Sequence, residues 1–323
     1  VLKSGRANWD IVISDSTLAA QGVDTAASST KIAIKGWKIE DGRIRYEDRT
    51  IPFGMELRGV NHTGSGDFEA DVFDMKSNTT AEALSMVYDG TTYVDKKKLT
   101  ADVTMGMDLA KMNFTFKDNQ VRLNDFPFSF QGLIGLPNAT DITYDLTFKA
   151  LETDFKNILS LVPGVFTKDF QNIETAGKVA FDGYFKGVQN AVKMPGYGLN
   201  LQINNGMFHY PDLPQAARNI NVDMKVDNPS GFTNNVMVDV KKFHLDLGKN
   251  PVDGNVRIDG LEPMKVDGRV KANVDLAEAT KVYPVPDMVV RGLLFVDATA
   301  KGTYSKTQMP VTRAALRLTN GYV

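Results

Sequence analysis

Three histidines, His62, His209 and His244, are the only imidazoles in the chain. None stands two or four residues from another, the spacing that a strand or helix turn needs to aim two rings at one metal ion. They read as strand or surface residues. There is no cysteine, which removes disulfides, thiolate ligands and cysteine nucleophiles. Gly64-Ser65-Gly66 lacks the spacing of a nucleophile elbow. Phosphate-binding glycine loops of the P-loop or dinucleotide type do not occur. Most Asp and Glu residues fall on the wet phase of alternating segments or in turns. A glycosidase pair needs only proximity in space, so it stays open at this level. The expectation is a protein that is not an enzyme and has no cofactor or metal.

The remaining chemistry is that of apolar surface. Phe126, Phe128 and Phe130 form a stripe at strand spacing, flanked by Phe114 and Phe116. Met105, Met107, Met224 and Met264 lie on the inward phase of their segments. Methionine is flexible and polarizable and suits surfaces that fit varied apolar partners. Together with Ile142, Leu146, Leu199 and Leu201, the residues Met105, Met107, Phe126, Phe128, Phe130 and Met224 are the candidate lining of a lipid groove. They are expected on the concave side of a curved sheet. An ordinary β-sandwich core explains the stripe equally well.

What must position these side chains is strand. Ala101, Val103, Met105 and Met107 alternate with Asp102, Thr104, Gly106 and Asp108. Ile142, Tyr144, Leu146 and Phe148 alternate with Thr143, Asp145 and Thr147, and the same pattern recurs over 197–203, 220–226 and 264–276. Successive side chains of a strand point to opposite faces, so each segment has one apolar and one wet face. That is the signature of antiparallel sheet. The fold class expected is mainly β: an elongated, curved, largely antiparallel sheet, open as a groove or sandwich-like, with one or two short helices. We expect roughly 18 to 22 strands, more than about 45% strand and less than about 15% helix. Asp41-Gly42, Asp89-Gly90, Asn205-Gly206, Asp253-Gly254 and Asn320-Gly321 read as tight hairpin turns. The clearest helix is expected over 152–163, capped by Thr153 and ended by Pro163-Gly164. A shorter one is expected from Leu276 to Tyr283. This divides the chain into a first β-rich block, 1–150, a short helical connector, 151–172, and a second β-rich block, 173–323.

Hydrophobic residues make up 42% and charged residues 24%, an ordinary globular composition. The net charge of −2 argues against nucleic acid as a partner, which calls for a basic domain or stripe. The densest basic run, Lys96-Lys97-Lys98, reads as a solvated turn. No run reaches the ~20 apolar residues that span a bilayer. The chain starts at Val1 and stops in what reads as the middle of a hairpin, so it is read as an excised fragment of a longer protein, cut within a further repeat.

That repeat is short. Ile39 to Asp48 aligns with Ile203 to Asp212, Gly59-Val60-Asn61 with Asn219-Ile220-Asn221, and Leu318-Thr319-Asn320-Gly321-Tyr322-Val323 begins the pattern a third time. The spacings are unequal, so this is not a solenoid of fixed period. Gly42 and Gly206 are expected at positive φ in equivalent turns, with Tyr46 and Tyr210 equivalently placed.

Several blocks resemble the AsmA-like proteins of the diderm bacterial envelope. They are Leu159-Ser160-Leu161-Val162-Pro163, Thr167 to Phe170, Gly177 to Gly187, Asn205 to Pro214 and Val240 to Leu245. The resemblance covers the chain from about residue 30 onward and is a pattern of strands and turns, with no motif-bound active-site residues. It implies a periplasmic body tethered to the inner membrane by an anchor outside this sequence. It further implies a β-rich groove akin to TamB-like and bridge-like lipid-transfer proteins, and a part in outer-membrane integrity. Phospholipid is the implied partner, with outer-membrane or envelope proteins as further ones. The alternative is a structural or assembly factor that docks other β-proteins by its sheet edges.

Overall fold

The structure is a computed structural model that describes residues 35–49, 53–88, 90–155, 174–209, 215–282 and 289–322. Fifteen strands form one antiparallel sheet in which spatial order follows chain order. They are β1 (Gly36–Asp48), β2 (Phe53–Ser65), β3 (Val72–Tyr88), β4 (Thr91–Asp108), β5 (Asn113–Leu123), β6 (Phe126–Gly135), β7 (Ile142–Asp154) and β8 (Glu174–Gln189). These continue as β9 (Gly196–His209), β10 (Ala217–Asn228), β11 (Met237–Leu247), β12 (Asn250–Asp259), β13 (Met264–Asp275), β14 (Arg291–Tyr304) and β15 (Val311–Tyr322). Strand accounts for 78%, and the sheet is open, not closed into a barrel.

The strands are fewer and longer than the sequence suggests, and the reason lies in the Asx-Gly pairs. Asp41-Gly42, Asn205-Gly206 and Asn320-Gly321 lie inside β1, β9 and β15, where they form bulges instead of hairpins. Asp253-Gly254 is plain strand within β12. Of the Asp89-Gly90 pair, Gly90 has φ +74 between β3 and β4, and Asp89 lies outside the described residues. Tyr88 pairs with Thr91 across this pair, as expected of a two-residue hairpin, and further ones fall at Asn124-Asp125, where Leu123 pairs with Phe126, and at Gly248-Lys249, where Leu247 pairs with Asn250. Asn124 (φ 52) and Gly248 (φ 65) supply the left-handed backbone there. Lys96-Lys97-Lys98 is likewise a bulged stretch of β4 and not a turn, with Lys96 at φ 48.

One α-helix is described in full, α1 (Leu276–Val282), close to the expected 276–283. Asp275 Oδ1 accepts from the backbone N–H of Ala277 at 2.9 Å and caps its start. It packs on β13, β14 and β11, and Gln215, just before β10, donates its Nε2 to Glu278 Oε2 at 2.6 Å. Thr153, expected to cap the other helix, sits in strand β7 and pairs with Val179. The rest of that expected helix, from 156, lies outside the described residues. The pairing of β7 with β8 continues the sheet across the connector, so among the described residues the two β-rich blocks share one sheet.

Apart from α1, the substantial contacts of each strand are with its sequence neighbours. There is no second layer among the described residues. The chain exposes 21004 Å², against about 13,000 Å² for a globular monomer of its mass. Among the described residues thirteen hydrophobic side chains are buried, and they form only two clusters: Leu57, Val60, Ala81 and Leu84 make one, Ala217 and Ile220 the other. A sandwich core, one of the two architectures left open by the sequence, is not formed by these residues.

Candidate functional site

Residues paired directly across an antiparallel ladder share a face. One row runs Met105–Phe116–Gly132–Leu146–Phe185–Tyr197 from β4 to β9. A second runs Phe130–Phe148–Gly183–Leu199–Val226–Val238–Ile258–Val266 from β6 to β13. A third runs Ala150–Phe181–Leu201–Met224–Val240–Val256–Gly268–Ala300 from β7 to β14. Met107 faces Phe114, Phe128 faces Val121, Phe126 faces Leu123, and Ile142 extends the phase of Leu146 along β7. All ten candidate residues therefore lie on one face, which carries apolar side chains across many strands.

Nine of the ten are half-buried; only Phe126, at 2% exposure, is enclosed. Its ring reaches over β7, where Ala150 leaves room, and stacks on Phe181 of β8 with centroids 5.5 Å apart. Phe148 meets Phe181 edge-on at 6.2 Å and Phe185 at 5.7 Å, and Phe116 meets Phe130 at 5.2 Å. These contacts are lateral. They cover the flanks of the rings and, Phe126 apart, leave part of each open to solvent. The surplus over the sequence-derived set is large: Phe148, Phe181, Phe185, Val226, Val238 and Val256 belong to the same face. Their alternation was legible in the sequence, but not their alignment across strands.

On β1–β4 the same face holds the Leu57, Val60, Ala81 and Leu84 cluster beside a polar row through His62. Trp37 Nε1 donates to His62 Nε2 at 2.8 Å, and His62 Nδ1 lies 2.8 Å from Thr79 Oγ1. An indole can only donate, so the His62 proton sits on Nδ1 and points to Thr79. The other two histidines are on the wet side with carboxylates. His244 Nδ1 is 2.8 Å from Asp253, and His209 Nδ1 is 3.3 Å from Glu174. Among the described residues no group of His, Cys, Asp and Glu could hold a metal ion.

The opposite face is charged and internally paired. Lys117 meets Asp74 at 2.6 Å across β4, where Gly106 clears the way, and Lys186 meets Asp145 at 3.1 Å. Arg269 holds Asp297 at 2.7 Å and keeps that carboxyl below the usual carboxylate range. Exposed pairs of this kind are screened by solvent and add little to stability. They mark a surface made for water.

Fold and face together define a class: a single-layer antiparallel β-sheet with one charged face and one apolar face that no other described residues cover. Compared with known protein families, curated proteins and solved structures, the chain matches none.

Proposed function

We propose that this protein is the periplasmic, groove-forming part of an AsmA-like envelope protein, tethered to the inner membrane by a segment outside this sequence. In this reading its apolar face binds or conducts phospholipid acyl chains and so supports the outer membrane. One observation carries the proposal: an apolar face continuous over many strands has no layer packed on it among the described residues. Soluble monomers rarely leave contiguous apolar patches above a few hundred Å² without a partner for them. Acyl chains fit that face because each buried CH₂ contributes about 0.8 kcal/mol without needing a directional partner. A lane of similar apolar positions keeps that energy nearly level as a chain slides, so transfer along it meets no deep trap.

The test is lipid itself. Purified without detergent, the protein is expected to carry phospholipid detectable by mass spectrometry. A benzophenone amino acid at Leu201 or Met105 should crosslink to it, and one at Asn200 on the wet phase should not. Leu201→Gln and Met105→Gln should lower bound lipid while leaving the thermal midpoint nearly unchanged, since both side chains are half-open to solvent. Absence of lipid from the wild-type protein, with equal crosslinking on both faces, would refute the reading.

A further inference from the structure

The charged face is not uniform. Over β1–β3 it carries an open cavity of about 690 Å³ walled by Arg43, Arg45, Arg49 and Arg58. That volume is in the usual range of small-molecule sites. Arg45 pairs with Glu56, and the pairs on either side, Ile44–Leu57 and Tyr46–Met55, belong to the apolar face. The cavity therefore opens on the other side of the sheet. Its floor is bare at Gly54, which pairs with Glu47 and Val87 and where a Cβ would find nothing within 4 Å. Among the described residues no lysine lines it.

Two carboxylates serve the four guanidinium groups. Glu56 Oε1 accepts from Arg43 Nε at 2.6 Å, and Glu56 Oε2 from Arg58 Nη2 at 3.0 Å. Glu47 accepts from Arg49 Nε at 3.2 Å and from Arg45 Nη2 at 3.4 Å. Arg58 first, then Arg43, hold the Glu56 carboxyl below the usual carboxylate range. The third carboxylate on the rim, Asp48, accepts from the Tyr46 hydroxyl at 3.0 Å. Four cations against three anions leave positive charge in excess. The excess of hydrogen-bond donors is larger, because each guanidinium offers five N–H groups in a planar fork, and Arg45, Arg49 and Arg58 each turn a single one to these carboxylates.

The fold does not require arginine here. The β9–β10 junction repeats that of β1–β2, with Asn205 (φ 50) in the place of Asp41 (φ 46). Its register steps, Ile203–Val222, Gly206–Ile220 and Phe208–Ala217, match Ile39–His62, Gly42–Val60 and Ile44–Leu57. In that second copy Met207, His209 and Ala216 stand where the first has Arg43, Arg45 and Glu56. The same bulge forms without the guanidinium groups, so they answer to something other than the backbone.

We propose that this cavity binds a phosphate group, either as a free anion or on the headgroup of an anionic phospholipid. A guanidinium fork meets two phosphate oxygens at once through charge-assisted hydrogen bonds, which the point charge of a lysine does not. The bare floor at Gly54 lets the ligand approach the backbone between the arginines. The site lies on the face opposite the acyl lane and stands independently of the lipid reading.

The probes are inorganic phosphate and pyrophosphate, titrated into the intact protein by calorimetry at low ionic strength, where screening is weakest. Flotation with phosphatidylcholine vesicles, with and without phosphatidylglycerol, separates the two sources. Saturable binding of the free anions assigns a soluble ligand, and capture that rises with phosphatidylglycerol assigns a headgroup; either supports the proposal. Arg45→Gln with Arg58→Gln should weaken that binding about ten-fold or more, the loss of charged hydrogen bonds. The thermal midpoint should hold, since these side chains are 67% and 59% exposed. Arg45→Lys with Arg58→Lys keeps the charge, loses the fork and should recover only a small part. Arg257→Gln, in β12, should change nothing. Absence of saturable anion binding together with no gain from phosphatidylglycerol would overturn the proposal. Full recovery by the lysine pair, or equal weakening by Arg257→Gln, would do the same. The phosphate titration does not involve the apolar face, so this proposal and the lipid reading fail separately.

Discussion

Tyr184 illustrates how single residues hold a one-layer sheet. From β8 its hydroxyl donates to Asp227 on β10 at 2.8 Å, passing over Gly198 on β9. Partial burial, then the hydrogen bond to a carboxylate, push the phenol up to about 12. The folded chain therefore holds this proton more tightly than the unfolded chain, whose tyrosine titrates near ~10. The stability that results is complete below about pH 10 and is lost as pH rises to about 12. A spectrophotometric titration should show a late ionisation that Tyr184→Phe removes, beside the upward shifts that burial gives Tyr46 and Tyr144. A Cβ at Gly198 would come within 2.3 Å of Tyr184 Cε1. Gly198→Ala should thus break the bridge, lower the thermal midpoint by the equivalent of about 1–3 kcal/mol and abolish the late titration. An unchanged midpoint would mean that the strands on either side of β9 are not coupled by this contact.

Among the elements, the bulges are what sequence reading and structure treat most differently. Asx-Gly is the strongest short-range sign of a hairpin, yet in β1, β9 and β15 it sits in mid-strand. The signal that distinguishes the two was present: apolar phase runs Trp37, Ile39, then Gly42, Ile44, Tyr46, an odd-to-even slip with no break in alternation. A hairpin reverses the chain, whereas a bulge only flips its phase. The left-handed residue is the Asx and not the glycine in each case; Tyr210, the expected match for Tyr46, lies outside the described residues. The glycine serves space instead. A Cβ at Gly42 would meet the rigid branch of Ile39 at 2.5 Å, and one at Gly321 the mobile tip of Leu318 at 2.4 Å. Gly42→Ala should therefore cost about 1–3 kcal/mol and Gly321→Ala clearly less, measured as shifts in denaturation midpoint. Equal costs would show that the bulges depend on backbone freedom and not on the side chain above them.

For the whole molecule the central fact is an excess of surface with apolar side chains on one side of it. A sheet of this kind cannot bury both faces against itself without closing or stacking, and among the described residues it does neither. The native protein should therefore bind an apolar dye such as anilinonaphthalene sulfonate without denaturant. Phospholipid vesicles or lysophospholipid should displace the dye in proportion to lipid taken up. A native state that leaves the dye dark would mean that the apolar face is covered in solution, and the lipid reading would lose its basis.

The sequence by itself determined the β class, the two faces of its strands and the absence of local catalytic or metal motifs, because alternation and motif spacing are properties of adjacent residues. It placed Met105, Phe128, Leu146 and Leu201 on the apolar phase of their own strands. Only the tertiary structure decided that these phases coincide. One face from β4 to β14 depends on register, and a slip of one residue at any junction would turn a strand over. The same holds for the choice between sandwich and open sheet: identical alternation serves both. Whether a second layer comes to rest on the apolar face is decided by contacts between residues far apart in the chain, and here the described residues provide none.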